Sequence, residues 1–260
     1  MSQVTVMIPF FNPGNYLKDA IESIFSQTSD KWNLLLINDA STDNSVSIIE
    51  SYLANEKINL LHNQKNIGQS KSLNIGLSFV NTPYIITLDA DDWFPQNTLE
   101  VLVDEMENNS SKVAVLGGNI NIVTQRRNHV KTRIVKGRGF SNQYDFLLSN
   151  QSVWPRFYRT TALKSVGGWP VDDPWDGRHA EDIRILSRLL ENNYQIGWVN
   201  DTLLNHRRHQ HNQTNNLSVY GEVYEWIVRD NLNRWGNKFE PEFIEYENGW
   251  KHLKQLIPIK

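Results

Sequence analysis

Tyr84-Ile85-Ile86-Thr87-Leu88-Asp89-Ala90-Asp91-Asp92 sets a short, largely apolar run directly against three carboxylates. The run Tyr84–Leu88 reads as a strand, and its unbroken apolar character suits one covered on both faces. Carboxylates crowded just beyond such a strand repel one another unless a cation or hydrogen-bond donors offset them. Two readings stay open: an acidic turn leading into a helix beyond Pro95, or hard oxygen ligands for Mg2+ or Mn2+.

The same strand-then-helix unit recurs on the N-terminal side. Val4–Pro9 is a short apolar run, and Tyr16–Phe25 then places Leu17, Ala20, Ile21 and Ile24 at helical spacing. Trp32–Ile37 reads as a strand, Asp43 as the cap of a helix through Tyr52, Ile58–Leu61 as a strand and Ser70–Phe79 as a helix. Beyond the acidic run come a helix, Asn97–Met106, and a strand, Val113–Leu116. Alternation at these lengths predicts an α/β fold with a mostly parallel sheet flanked by helices, and ligands then bind beyond the carboxyl ends of the strands. Those ends are Pro9-Phe10-Phe11-Asn12, Asn38-Asp39-Ala40-Ser41 and Asp89-Ala90-Asp91-Asp92. Neither a Gly-x-Gly-x-x-Gly turn nor a Gly-x-x-x-x-Gly-Lys-Ser/Thr loop is present, which excludes the usual dinucleotide and P-loop phosphate cradles.

Composition narrows the functional classes. At 260 residues, 39% hydrophobic and 21% charged, the chain can bury a core, and 26 cations against 29 acids leave a net charge of −3. With a pI near 6.2, wholesale capture of nucleic acid is excluded, and no nucleic-acid partner is expected. The absence of cysteine removes thiolate nucleophiles, disulfides and zinc–thiolate sites. No stretch approaches the ~20 apolar residues of a membrane span, and the N-terminus lacks a secretory signal pattern, so a cytoplasmic protein is expected.

After residue 120 the alternation fails. Arg126, Arg127, Lys131, Arg133, Lys136 and Arg138 fall in a segment without an acid, either a solvated edge hairpin or a face for an anionic acceptor or phospholipid surface. A helix returns at Ala180–Leu190, opened by Glu181-Asp182, and a strand at Tyr194–Val199. Upstream of that helix, Trp169-Pro170, Trp175-Asp176-Gly177 and His179 form an aromatic, turn-rich approach of the kind that stacks on sugar rings. Asn205–Asn216, with His206, His209 and His211, reads as a polar loop, and Tyr220–Lys260 as two helices rich in Trp and Tyr. The tail Trp residues 226, 235 and 250 are expected to pack on the core, with dimerisation as a further expectation.

In this order the motifs resemble the inverting, nucleotide-sugar-dependent glycosyltransferases of family 2, with the GT-A fold. Val6–Tyr16 is similar to the family's opening strand and Pro-x-Tyr-Asn turn, with Phe11 in the Tyr position; Ile37–Asp43 is similar to its Val-Asn-Asp-Gly-Ser-x-Asp segment. Asn66-Ile67-Gly68 through Asn74-Ile75-Gly76 resembles the paired Asn-x-Gly element, and Asp89-Ala90-Asp91 its Asp-x-Asp motif. Val166–Trp169, Glu181–Leu189 and His206-Arg207-Arg208-His209 resemble its acceptor-side Val-Gly-Gly-Phe, Glu-Asp helix and Tyr-Arg-x-His elements. Leu73, Ala40 and His206 stand where the family commonly has Arg, Gly and Tyr.

The resemblance implies a GT-A domain over residues 1–215, with a nucleotide-sugar half (1–120) and an acceptor half (121–215), and a helical extension over 216–260. It implies Pro9, Phe11, Asn12, Asp39, Asn66, Lys71, Asp89, Ala90 and Asp91 around the nucleotide sugar and Asp182 as catalytic base. Trp154, Trp169, Trp175 and Glu181 would face the acceptor, and Asp89, Asp91 and His209 would hold Mn2+ or Mg2+. The implied partners are a nucleoside-diphosphate sugar, UDP favoured, and a glycan or lipid-linked acceptor, with peripheral contact at the inner face of a membrane and a homodimer as further expectations. A catalytically silent sugar-binding scaffold is the alternative reading.

Overall fold

The structure is a computed structural model that describes every residue except 1, 127, 128, 211, 213, 214 and 260. Four parallel strands, β1 (Val4–Phe10), β2 (Trp32–Asn38), β3 (Ile58–His62) and β4 (Tyr84–Thr87), lie in the order β3-β2-β1-β4. Phe10 pairs with Asn38 and Asn38 with His62, so the strands end together and their loops share one edge of the sheet. The second half extends this sheet in mixed directions. β7 (Trp154–Arg159) runs antiparallel between β4 and β5 (Val113–Arg126), β6 (His129–Val135) pairs antiparallel with β5, and β8 (Gln195–Arg208) pairs parallel with it.

Alternation along the strands builds a core on each face. Val6, Ile8, Phe10, Leu34 and Leu36 meet helices α1 (Tyr16–Phe25) and α4 (Thr98–Asn108) on one side. Met7, Leu35 and Ile37 meet α3 (Gln69–Ser78), α6 (Thr160–Ser165) and α7 (Glu181–Glu191) on the other. Leu17, Ala20, Ile21 and Ile24 of α1 are fully buried at the predicted 3–4-residue spacing. Each of the Leu and Ile side chains is worth about 1.5–3 kcal/mol of burial. Gly76 lets α3 approach closely, because a Cβ there would lie 2.5 Å from Met7 Cε and 2.6 Å from Ile37 Cδ1.

Two further helices are short: α2 (Ser45–Ile49), continued as a 3-10 turn over Glu50–Ala54, and α5 (Gln143–Ser149). Asp43 holds the start of α2, its Oδ1 accepting from Ser45 N at 3.0 Å. The expected strand Val113–Leu116 is the start of a much longer one. The expected loop Asn205–Asn216 begins as strand, because Asn205–Arg208 pair with Asn121–Thr124.

The tail differs more. α8 (Leu217–Arg234) is the first expected helix, but the second is instead a hairpin of β9 (Phe239–Glu245) and β10 (Lys251–Pro258). Pro241 inside a helix would cost about 3 kcal/mol, and Asn248-Gly249, with Gly249 at φ +81°, supplies the turn. The tail packs on the body: Asn231 donates to Ser187 Oγ at 3.0 Å, Trp235 Nε1 to Glu191 Oε2 at 2.7 Å, and Arg184 lies over the Trp226 ring. Among the described residues no helix is long and apolar enough to cross a membrane.

Candidate functional site

The shared strand ends open into a cleft of about 1190 Å³. One wall comes from the first half of the chain: Pro9, Phe11, Asn12, Asp39, Asn66, Asp89, Ala90 and Asp91 all line it, and Phe11 is half exposed. Asn12 sits in the left-handed region at φ +53° and clasps two loops together. Its Oδ1 accepts from Thr42 N at 2.7 Å and Asp43 N at 3.1 Å, while its own N donates to Ser41 Oγ.

Asp39 is buried and similarly engaged. It accepts from Ile67 N (2.9 Å), Gly68 N (2.8 Å) and Asn63 Nδ2 (2.8 Å), so the carboxylate at the end of β2 fixes the loop that carries Asn66. Asn66 in turn accepts from Arg178 Nη1 at 2.6 Å. Arg178 also lines the cleft, and its Cγ lies 2.9 Å from where a Gly68 Cβ would be, so only glycine admits the guanidinium stem here.

The three carboxylates of the acidic run separate into three environments. Asp92 is buried and turned into the protein, accepting from Arg207 N at 2.8 Å and pairing with His206 Nδ1 at 3.0 Å. Burial works against the charged His206 ring, but the hydrogen bond and charge of Asp92 outweigh it and raise its pKa. Asp91 faces the cleft. Its Oδ2 lies 2.8 Å from His209 Nε2 and accepts from Asn212 Nδ2 at 3.2 Å. Asp89 accepts a 3.3 Å hydrogen bond from Gln69, and burial, above all, pushes its carboxyl up to about 6.

Arg207 holds this arrangement from behind. Its guanidinium lies 4.8 Å from the Tyr16 ring and 4.6 Å from the Trp93 ring, and it donates to the Asp91 carbonyl at 2.9 Å. Tyr16 also stacks on His209 at 5.0 Å, so one aromatic ring steadies both the backbone of Asp91 and the imidazole beside its carboxylate.

At the far side of the cleft the start of α7 presents Glu181 and Asp182. Register places Arg156 between them and the acidic run, since Arg156 of β7 pairs with Thr87, two residues before Asp89. Its guanidinium is almost wholly buried, 3.4 Å from Asp182 Oδ2. Burial opposes its charge, yet Asp182, Asp89 and Glu181 hold it firmly protonated. Glu181 accepts from Gln69 Nε2 at 3.1 Å, and burial, followed by the charge of Asp182, pushes it up to about 8. Three carboxyl groups thus share one buried cation, a balance in which proton uptake by one relieves the others.

Not every expected residue reaches the cleft. Trp154 does, stacked 5.5 Å from the His206 ring. Trp169 does not: it is 2% exposed in the core against Tyr158, and its backbone exchanges two hydrogen bonds with the Asn74 side chain. Trp175 packs edge-on to Trp226 under α8, and Lys71 forms a 2.5 Å ion pair with Asp176 at the surface; neither lines the cleft. Asp89, Asp91 and His209 do not come together as one ligand set among the described residues, because Asp89 lies toward Gln69 and Arg156. His211 lies outside the described residues. Arg156, Arg178 and Gln69 line the cleft without having been singled out by any motif, and the tail adds Leu217, Tyr220 and Trp250, so residues beyond 215 form part of the wall.

The chain has relatives among known proteins. Residues 5–167 match the family described as Glycosyl transferase family 2. Glycosyltransferase GlyA of Streptococcus pneumoniae serotype 4 is 29% identical over 196 residues, 74% of this chain and 27% of GlyA. Hyaluronan synthase of Pasteurella multocida is 24% identical over 265 residues, 96% of this chain and 25% of the synthase. The chain therefore spans about a quarter of the length of these two relatives. S. aureus TarS 1–349 in complex with UDP-GlcNAc shares the fold, with a TM-score of 0.69 at 19% identity over 90% of this chain and 67% of that 1–349 chain. With the match covering residues 5–167 and the strand order carrying its cleft at the expected edge, this chain belongs to glycosyl transferase family 2 and has the GT-A fold.

Proposed function

We propose that the chain transfers a sugar, with inversion, from a nucleoside-diphosphate sugar to a hydroxyl of a glycan or lipid-linked acceptor in surface polysaccharide synthesis, UDP being the favoured nucleotide. The observation that carries this reading is the meeting of Asp182, Glu181, Asp89 and Arg156 at the floor of a cleft whose opposite wall is Phe11, Asp39 and Asn66. The occupant of TarS, UDP-GlcNAc, and the product named for the Pasteurella relative, hyaluronan, agree with a nucleotide-sugar donor and a polysaccharide product.

In this reading the base and ribose lie against Phe11 and the loop braced by Asp39, and the sugar lies over Asp89. Asp182 takes the proton of the acceptor hydroxyl as its oxygen attacks the anomeric carbon, and positioned proton removal of this kind contributes about 10²–10⁴-fold. The bond to the diphosphate breaks on the opposite face, so a single displacement inverts the configuration. Arg156, 3.4 Å from its Oδ2, orients Asp182 beforehand. Glu181, held up to about 8, carries its proton near neutral pH and donates a hydrogen bond to a sugar hydroxyl.

The Asp91 carboxylate and His209 imidazole suit Mn2+ or Mg2+, which commonly keeps few protein ligands and completes its shell with water and phosphate. Such an ion supplies charge neutralisation to the departing diphosphate. Trp154, at the cleft and stacked on His206, offers an indole face to the acceptor.

Thermal-shift measurements with UDP, GDP, CDP, dTDP and ADP, each with and without Mn2+, test the reading. A rise in melting temperature for one diphosphate, enlarged by Mn2+, is expected, because a ligand selective for the folded state stabilises it. No shift with any of the five would overturn the reading.

A further inference from the structure

The outer end of the sheet carries positive charge that the cleft chemistry does not use. In the ladder Arg133 pairs with Ile122, which pairs with His206; Lys131 pairs with Thr124, which pairs with Arg208. Directly paired residues project from the same face of a sheet. His206 and Arg208 line the cleft, so Arg133 and Lys131 stand on the cleft-side face, two strands out from its rim. The next row inward, Val135, Ile120 and Leu204, packs into the core on that same face. At about 4.8 Å per strand, β6 lies about 10 Å from β8.

The charge here is open. Arg138 is paired with Asp145 at 2.6 Å, but neither Lys131 nor Arg133 pairs with a carboxylate among the described residues, and both are exposed. Lysine on an edge strand can serve only to block edge-to-edge pairing. That purpose does not require the cations to share a face and continue into the row of a cleft residue. The opposite face of β6 carries Val130 and Ile134, 63% and 58% exposed, so the two faces differ in chemistry.

We propose that this row is an acceptor track: a linear polyanionic acceptor, bearing repeated phosphate or carboxylate groups, runs from the cleft mouth at Arg208 across β5 to Arg133 and Lys131. A polymer is favoured over a membrane surface because the cations lie in line with the cleft on one face, where a chain can reach the catalytic carboxylates. The track rests on the transferase reading, since it defines which acceptors reach Asp182.

The test uses the whole chain and its K131S/R133S variant, with K31S/K112S as a control that removes equal charge elsewhere. Binding of inorganic polyphosphate, neutral dextran and phosphatidylglycerol vesicles is measured across a salt series, beside the UDP–Mn2+ thermal shift on the same samples. Polyphosphate is expected to bind the parent chain and the control alike and K131S/R133S about tenfold more weakly, with the slope of log K against log salt reduced by about one to two. Equal polyphosphate affinity in K131S/R133S, equal binding of dextran, or loss of vesicle binding alone would each overturn the track. An unchanged UDP–Mn2+ shift in the variant confines that failure to the track, whereas a parent chain without the shift fails the transferase reading itself.

Discussion

The two walls of the cleft are built in different ways. On the wall from the first half of the chain, Phe11, Asp39, Asp89 and Asp91 follow parallel strands paired in register, so backbone pairing brings them to one edge. On the opposite wall, Arg156, Arg178, Asp182, Tyr220 and Trp250 come from a strand, a turn, two helices and a hairpin. Parallel βα units set the first wall, and packing between distant segments sets the second. The second therefore depends on contacts between distant segments, with the buried Arg156 at their centre.

The sharpest test of that contrast is Asp182→Asn. It is expected to lower turnover by about 10²–10⁴-fold while leaving affinity for the nucleoside diphosphate within about twofold, because in the proposed reaction the base acts on the acceptor. Calorimetry with UDP and Mn2+ beside initial rates checks this; nucleotide affinity falling together with turnover would mean the walls are not separable. Next in size is Arg156→Met, which leaves Asp182, Asp89 and Glu181 without their shared cation. Removing one partner of a buried charge group costs about 3–5 kcal/mol, so a large fall in chemical-denaturation midpoint is expected. A midpoint close to that of the parent chain would show that the three carboxyls simply take up protons instead.

How much of this was legible in the sequence follows the same division. The parallel half could be read because each strand, its terminal carboxylate and its helix are local, and Asp39, Asp89 and Asp91 stand where the alternation predicts. Arg156 was not legible: it lies in a strand that the periodicity did not reveal, and only its register with Thr87 brings it to Asp89. Trp169 misled, because an indole in a Gly-Gly-Trp-Pro turn resembles a sugar platform until Asn74 clamps its backbone and Tyr158 receives its ring. The β9–β10 hairpin had local signals in Pro241 and Asn248-Gly249, outweighed by the helical reading of the Trp-rich tail.

Asp91→Ala sharpens the comparison from the nucleotide side. Asp91 and His209 are in contact, and Asp91 is reached by Arg207 only through its backbone, so the side chain can be removed without leaving a buried charge. The expected outcome is a loss of about tenfold or more in Mn2+-dependent affinity for the diphosphate, with little change in melting temperature when metal is absent. Unchanged Mn2+-dependent affinity would take Asp91 out of the ligand set.

The smallest effect expected is the most specific to the crowded wall. An unperturbed glutamate has a pKa of about 4.3, whereas Glu181 is pushed up to about 8, first by burial and then by Asp182. The folded state therefore binds this proton more tightly than the unfolded chain does. The resulting stabilisation is complete below the unfolded value and is lost as pH rises through about 8. Glu181→Gln keeps the amide-sized side chain near Gln69 but cannot ionise. Its melting temperature is expected to fall less than that of the parent chain between pH 5 and 9, the gap widening steadily up to about pH 8 and levelling off above it. Parallel curves would mean that Glu181 is already ionised at neutral pH. Arg156 would then neutralise Glu181 and Asp182 together, and the hydrogen bond assigned to a protonated Glu181 would have to come from another donor at the cleft.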